Sequence, residues 1–197
     1  NGSSWTEVAD LNAVKTYAGS CGADNTSALF FGGGDPAAVA TNELWNGSSW
    51  TEVGDLNQKR NFGAGSGIAT AALYSTGRDS PPNTNNVANN ESWNGSTWTE
   101  VGDVNTARRI TQSSASGTNT STLVFGGYTT THVAVTELWN GSSFSETVDM
   151  STARYGSGGH GTSTAAMIST GNAAPGVTTA TEEFTSPATS TVTFTVS

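Results

Sequence analysis

The sequence predicts an all-β fold assembled from consecutive copies of one four-stranded unit, and three observations predict it. One phrase recurs: NGSSWTEVADLN from Asn1, NGSSWTEVGDLN from Asn46, NGSTWTEVGDVN from Asn94 and NGSSFSETVDMS from Asn140, so consecutive copies start 45, 48 and 46 residues apart. The 197 residues include 24 glycines and only 12% charged side chains, a turn-rich composition poor in the Leu, Glu, Lys and Arg that fill helices. No stretch carries apolar residues at sustained three-and-four spacing, so essentially no helix is expected.

Each unit yields four strands in order. Glu43-Leu44-Trp45 and Trp50-Thr51-Glu52-Val53 flank Asn46-Gly47, a dipeptide that tolerates the positive φ angles of a tight hairpin turn. Residues 17–22, 62–67, 111–116 and 155–160 are rich in Gly, Ala and Ser. A strand of such residues has little side chain to bury and suits a place where backbones crowd, as around the axis of a radial fold. The apolar strand at 28–31, with its copies, comes next. It lies in TSALFFGGG (26–34), TAALYSTGR (70–78), TSTLVFGGY (120–128) and TAAMISTGN (164–172). Units one and three share FGG while two and four share STG, as if a two-unit block had itself been duplicated.

A period of 40 to 50 residues is that of propeller blades. The order apolar strand, Gly-Gly, spacer, Glu-x-Trp, short turn, Trp, then Asp-Leu and a basic residue resembles the kelch repeat of β-propellers, over nearly the whole chain through Phe184. The resemblance implies that the double glycine closes the second strand and that the aromatic and basic residues pack between blades. Units two and four depart from it with Thr76-Gly77 and Thr170-Gly171, and unit four has Phe144 in place of Trp. The expected architecture is one propeller of four kelch-like blades, each of four antiparallel strands, over residues 1–185 (units 1–45, 46–93, 94–139 and 140–184), followed by a C-terminal β-strand tail at 186–197.

The two ends set the closure. Trp5 to Val8 reads as an outermost strand with no inner strands before it, while the last unit ends at Glu182-Glu183-Phe184 without one. The N-terminal strand is therefore expected to complete the last blade, the terminal strand exchange by which propellers close. The tail TSTVTFTVS (189–197) alternates Thr with Val or Phe and competes for that place. The alternative is that the chain is the C-terminal part of a longer propeller.

The net charge of -9 argues against nucleic acid, whose binding needs Lys and Arg to release counterions. No apolar run approaches the roughly 20 residues that span a bilayer, so membrane insertion is not expected either. Twelve of the 16 acidic residues recur at fixed repeat positions: Glu7, Glu52, Glu100 and Glu146; Asp10, Asp55, Asp103 and Asp149; Glu43, Glu91, Glu137 and Glu182. A catalytic carboxylate pair needs two different environments, whereas these groups occupy equivalent ones, as turn ligands and partners for basic or backbone groups. No catalytic constellation, metal site or cofactor is expected. The two histidines, His132 and His160, fall in non-equivalent places, and Cys21 stands where other units have Gly65, Ala115 and Gly159, as a small buried residue. The sequons at Asn46, Asn94 and Asn140 coincide with the hairpin turns.

Lys15, Arg60, Arg108 and Arg154 align as well. They form either an axial basic ring that holds an anion or partners for the repeat acids. What varies between units is the stretch after the Gly-ended strand: residues 34–42, 78–90, 128–136 and 172–181. Variable loops on a repeated frame are where binding residues concentrate, and Asp35, Arg78, Asp79, Tyr128 and His132 are the ligand-binding candidates. The expected function is a non-enzymatic recognition module of an extracellular or virion surface that contacts a glycan or protein receptor. The repeats resemble in style those of phage and environmental microbial surface proteins. The alternative is a structural or decoration subunit that pairs its terminal strands with neighbouring subunits, further copies of itself included.

Overall fold

A computed structural model describes residues 2, 4–34, 37–80 and 85–186. It is all-β, with no helix among the described residues, and every strand pair is antiparallel. The first unit forms β1 (Gly19–Asp24), β2 (Ser27–Phe31), β3 (Asn42–Trp45) and β4 (Trp50–Val53), hydrogen-bonded in that order. The second contains β5 (Arg60–Asn61), β6 (Ala64–Ile68), β7 (Ala71–Ser75), β8 (Arg78–Asp79), β9 (Asn90–Trp93) and β10 (Trp98–Val101). Here β6, β7, β9 and β10 make the main sheet, and β5 pairs with β8. The third has β11 (Gln112–Ser113), β12 (Thr122–Phe125), β13 (Thr136–Trp139) and β14 (Phe144–Glu146). The fourth has β15 (Arg154–Tyr155), β16 (Gly158–Gly161), β17 (Ala165–Ser169), β18 (Asn172–Ala173), β19 (Gly176–Val177) and β20 (Thr181–Thr185). Its main sheet is only three-stranded, β16-β17-β20.

The recurring phrase makes the outer hairpin of each of the first three sheets. Asn46 Oδ1 accepts from the amides of Ser48 and Ser49 at 3.0 Å each, and Asn94 and Asn140 repeat the turn. Beyond it the aromatics face each other in register: Trp45 opposite Trp50, Trp93 opposite Trp98, Trp139 opposite Phe144. Three apolar clusters then fill the spaces between consecutive sheets. Leu29 and Phe31 of the first meet Tyr74, Trp93 and Trp98 of the second. Leu73 meets Val124, Trp139 and Phe144, and Leu123 and Phe125 meet Ala166 and Ile168. The strands β7 and β12 thus send alternate residues to opposite neighbours, as a two-residue period requires.

The small-residue strands lie innermost, with β6 against β1, β11 against β6 and β16 against β11. A Cβ on Gly65 would stand 2.6 Å from the Ser20 carbonyl oxygen, which is why this strand is written in Gly, Ala and Ser. These strands start later than the sequence suggests, β6 at Ala64 rather than at 62. Tyr17, Phe62 and Ile110 take φ of 54°, 61° and 54° and turn the chain before the inner strand begins. Cys21, on β1, is partly buried against the first cluster.

Two expectations about the ends differ from the fold. Residues 4–10 form no strand, and Trp5 is fully exposed. Its octapeptide matches that of β4, but it has no sheet edge beside it here. Correspondingly, the four sheets are not closed into a ring: among the described residues no hydrogen bond joins the first to the fourth. The tail at 189–197 lies outside the described residues.

Candidate functional site

The repeated acids and bases first build a frame. Glu91 accepts from the Asn57 amide at 2.7 Å, the Asn57 side-chain Nδ2 at 2.8 Å and the Gln58 amide at 3.3 Å, and it pairs with Arg60. Glu43 holds Asn12 and Ala13 in the same way, Glu137 holds Asn105 and Thr106, and Glu182 holds Ser151 and Thr152. The chain arriving from one sheet is thus clamped by a carboxylate on the next. The cations of these clamps are Lys15, Arg108 and Arg154, all buried. The four aligned basic residues are therefore each committed to a repeat carboxylate. Burial lowers the pKa of Lys15 and of Arg108 against the raising effect of their glutamates.

Just beyond each clamp the chain forms a rim, and here the units stop being copies. In the first three units the second glycine of the Gly-ended strand donates to the next unit: Gly33 to the Arg60 carbonyl at 3.0 Å, Gly77 to that of Arg108 at 3.0 Å, Gly127 to that of Arg154 at 2.8 Å. The turning residues link units as well, Phe62 donating to the Tyr17 carbonyl at 2.9 Å and Ile110 to that of Phe62 at 2.7 Å. The Tyr17 side chain is left exposed, while Phe62 and Ile110 are half-buried. Tyr17, 52% exposed, stacks on Phe62 with centroids 4.1 Å apart, and the Arg78 guanidinium lies 4.9 Å from the Phe62 centroid.

A second cluster continues along the rim. His132 stacks on Tyr155 at 5.0 Å, and Tyr128 meets both edge-on, at 6.1 Å from His132 and 5.3 Å from Tyr155. Arg109 lies 4.9 Å from the Tyr128 centroid and donates to Asn86 Oδ1 at 2.8 Å. Asn86 donates in turn to the carbonyls of Tyr128 and Thr129 and pairs through its backbone with Arg78. Asn86 thereby joins the two clusters. Asp79 accepts from the Asn85 amide at 2.7 Å, and His132 Nε2 lies 2.9 Å from Asn172 Oδ1.

Of the residues proposed from sequence, Tyr128 and His132 are brought into contact, Arg78 and Asp79 share β8, and Asp35 lies outside the described residues. Tyr17, Phe62, Arg109 and Tyr155 were not singled out. A signal for them was present, since they sit one or two places after the aligned basic residues, where the units diverge. The arrangement offers aromatic faces beside guanidinium and amide donors, in a chain whose other described basic side chains are the four clamp cations and exposed Lys59. Burial pushes the Cys21 thiol up to about 12, which disfavours the reactive thiolate. Among the described residues no group of three or more His, Cys, Asp or Glu converges on a metal-sized space. No protein-family model matches the chain, and a search of curated proteins returns no match.

Proposed function

We propose that the chain is a non-enzymatic recognition module of an extracellular or virion surface, binding a glycan or a protein receptor through the rim. The four sheets, in this reading, are kelch-like blades of a propeller closed by a terminal strand. One observation carries the functional proposal. The rim's aromatic and guanidinium groups, exposed at Tyr17 and half-buried at Phe62, Arg78, Arg109, Tyr128, His132 and Tyr155, are built from positions that differ between units, while the frame beneath them is written nearly identically each time. Aromatic faces stack on the apolar faces of sugars, and neighbouring guanidinium and amide groups donate to hydroxyls or carboxylates, with polar groups few and fixed in orientation. The acidic balance, concentrated on clamps and outer strands, fits a partner other than nucleic acid.

A broad glycan array tests this. The chain is expected to bind one family of saccharides, and the double variant Arg78→Ala/Tyr128→Ala is expected to lose at least ten-fold in affinity while keeping its β-sheet circular dichroism. Equal binding by both proteins would sink the proposal.

The structural-subunit reading has its own support in the outer edge of β20, unpaired among the described residues, and in the exposed Trp5. Strand addition at such an edge joins subunits. Sedimentation over a concentration series separates the two, since a recognition module closed on itself stays monomeric.

A further inference from the structure

Charge is placed on this chain in a way the frame does not use. Sixteen acidic residues face seven basic ones. Lys15, Arg60, Arg108 and Arg154 are each matched to a glutamate, so the clamps present little net charge to the rim above them. Of the other three basic residues Lys59 is exposed, while Arg78 and Arg109 lie half-buried in the rim. Among the described residues neither of these two arginines is paired with a carboxylate. A charge withdrawn from water costs free energy unless an opposite charge or hydrogen bonds replace the water. With acids so much in excess, a fold that needed only to neutralise these arginines has ample carboxylates for it.

Each guanidinium is held in place with donors to spare. Arg78 lies 4.9 Å from the Phe62 centroid and Arg109 4.9 Å from the Tyr128 centroid, contacts that fix the cation without occupying its N–H groups. Arg109 donates to Asn86 Oδ1 through Nη1 alone. Arg78 Nε is shielded from water and has no hydrogen-bond partner. Asp79, the next residue, does not compensate it: consecutive side chains of a strand leave opposite faces, and the Asp79 carboxylate accepts from the Asn85 amide at 2.7 Å. Asn86 stands between the two arginines, joined to Arg78 through the backbone and to Arg109 through its side chain.

A platform adjoins them. Tyr17 stacks on Phe62 with planes 28° apart, so its 52% exposure is through the other face and the edge. Phe62 thus touches both an open aromatic ring and the Arg78 guanidinium. Such a ring takes the apolar face of a pyranose, and a guanidinium fork matches two oxygens of a carboxylate or a sulfate.

We propose that the rim selects an anionic saccharide, whose carboxylate or sulfate is taken by Arg109 and Arg78 on either side of Asn86 while a neighbouring sugar ring lies on Tyr17. This rests on the recognition reading above and names its ligand class. An acidic peptide would offer the same charge, but the stacked Tyr17 and Phe62 make a flat platform rather than a slot for an inserted side chain, which favours a sugar ring. The acidic clamps and outer strands carry their charge elsewhere, and beyond about 8 Å in physiological salt that charge is largely screened.

The test is an array of sialylated, uronate-containing, sulfated and neutral oligosaccharides, with a Glu-rich peptide beside them, probed with the full chain. The saccharides bound are expected to be anionic, and the carboxylated and sulfated members separate the two sources of charge. The strongest binder is then compared by calorimetry with its own carboxyl-reduced or desulfated form. Loss of a charge-assisted hydrogen bond corresponds to about ten-fold to hundred-fold in affinity, so the charged form should bind tighter by that ratio. Arg109→Gln, which keeps an amide to meet Asn86, should bring the ratio towards unity, and so should Arg78→Gln. A variant that merely folds poorly would weaken both forms and leave the ratio as it was. Neutral saccharides binding as tightly as anionic ones would overturn this inference and leave the recognition reading standing, as would a ratio unchanged in both variants. Binding of the peptide with no saccharide bound would overturn it in favour of an acidic protein partner. Binding of nothing on the array would remove glycan recognition itself, and this inference with it.

Discussion

Glu137 is wholly buried, as is its partner Arg108, and that pairing is where single substitutions should matter most. Removing one member leaves the other charged and uncompensated in the interior, a loss of about 3–5 kcal/mol. Glu137→Ala is therefore expected to lower unfolding stability by that amount in urea titration, with Thr152→Ala near neutral as control. Glu182 carries the pH dependence. Its partial burial pushes its pKa up, but the Ser151 amide and Arg154 outweigh this and hold it below the ordinary 4.5. A carboxylate depressed in the folded state contributes stability above its unfolded pKa and loses it as pH falls through the folded one. The clamp at Ser151 should accordingly loosen below about pH 4.5, seen as faster hydrogen exchange at Ser151 and Thr152, and Glu182→Gln should flatten that dependence. The sequence made the aligned acids and bases legible as sets. Their pairing was one of two readings, because alignment identifies equivalent positions without saying which of them touch.

At the scale of the strand, the Gly-ended turn has two positions with different demands. The first has φ of 61° at Gly32, 65° at Thr76, 63° at Gly126 and 61° at Thr170; the second has 89°, 122°, 115° and 110° at Gly33, Gly77, Gly127 and Gly171. The left-handed helical region admits threonine at a modest cost, whereas the second region is essentially closed to any side chain. This is why units two and four can replace the first glycine and not the second. A Cβ on Gly127 would also lie 2.7 Å from the Thr111 methyl and 2.9 Å from the Arg109 carbonyl. Gly127→Ala is expected to cost about 1–3 kcal/mol by thermal unfolding. The hairpins were legible from Asn-Gly between aromatic runs. The break before each inner strand was not, since nothing local marks Tyr17, Phe62 or Ile110 for positive φ; hydrogen bonds from neighbouring units impose it.

Over the whole molecule, the repeat spacing announced one sheet per unit, and the structure has four such sheets with apolar clusters between them. The order of sheets follows from the clamps, because each connector is short and ends on a carboxylate of the next sheet. The ring closed by the N-terminal strand, expected from sequence, is not formed among the described residues: two segments, 5–8 and 189–197, both carry strand-forming patterns, and pattern alone does not rank competitors for one edge. The rim was half legible. Its variable stretches announced Arg78, Asp79, Tyr128 and His132, but the aromatic and basic partners they acquire come from other units. In the proposed function the copied phrase supplies only the frame and the uncopied rim does the recognising. The most direct test of this is to compare, on one glycan array, alanine variants of rim residues Tyr17, Arg109, Tyr128 and His132 with alanine variants of hairpin residues Ser48, Ser96 and Ser142. Binding is expected to fall in the rim set and to be unchanged in the hairpin set; binding that survives the rim set and is lost with the hairpin set would rule out recognition by the rim.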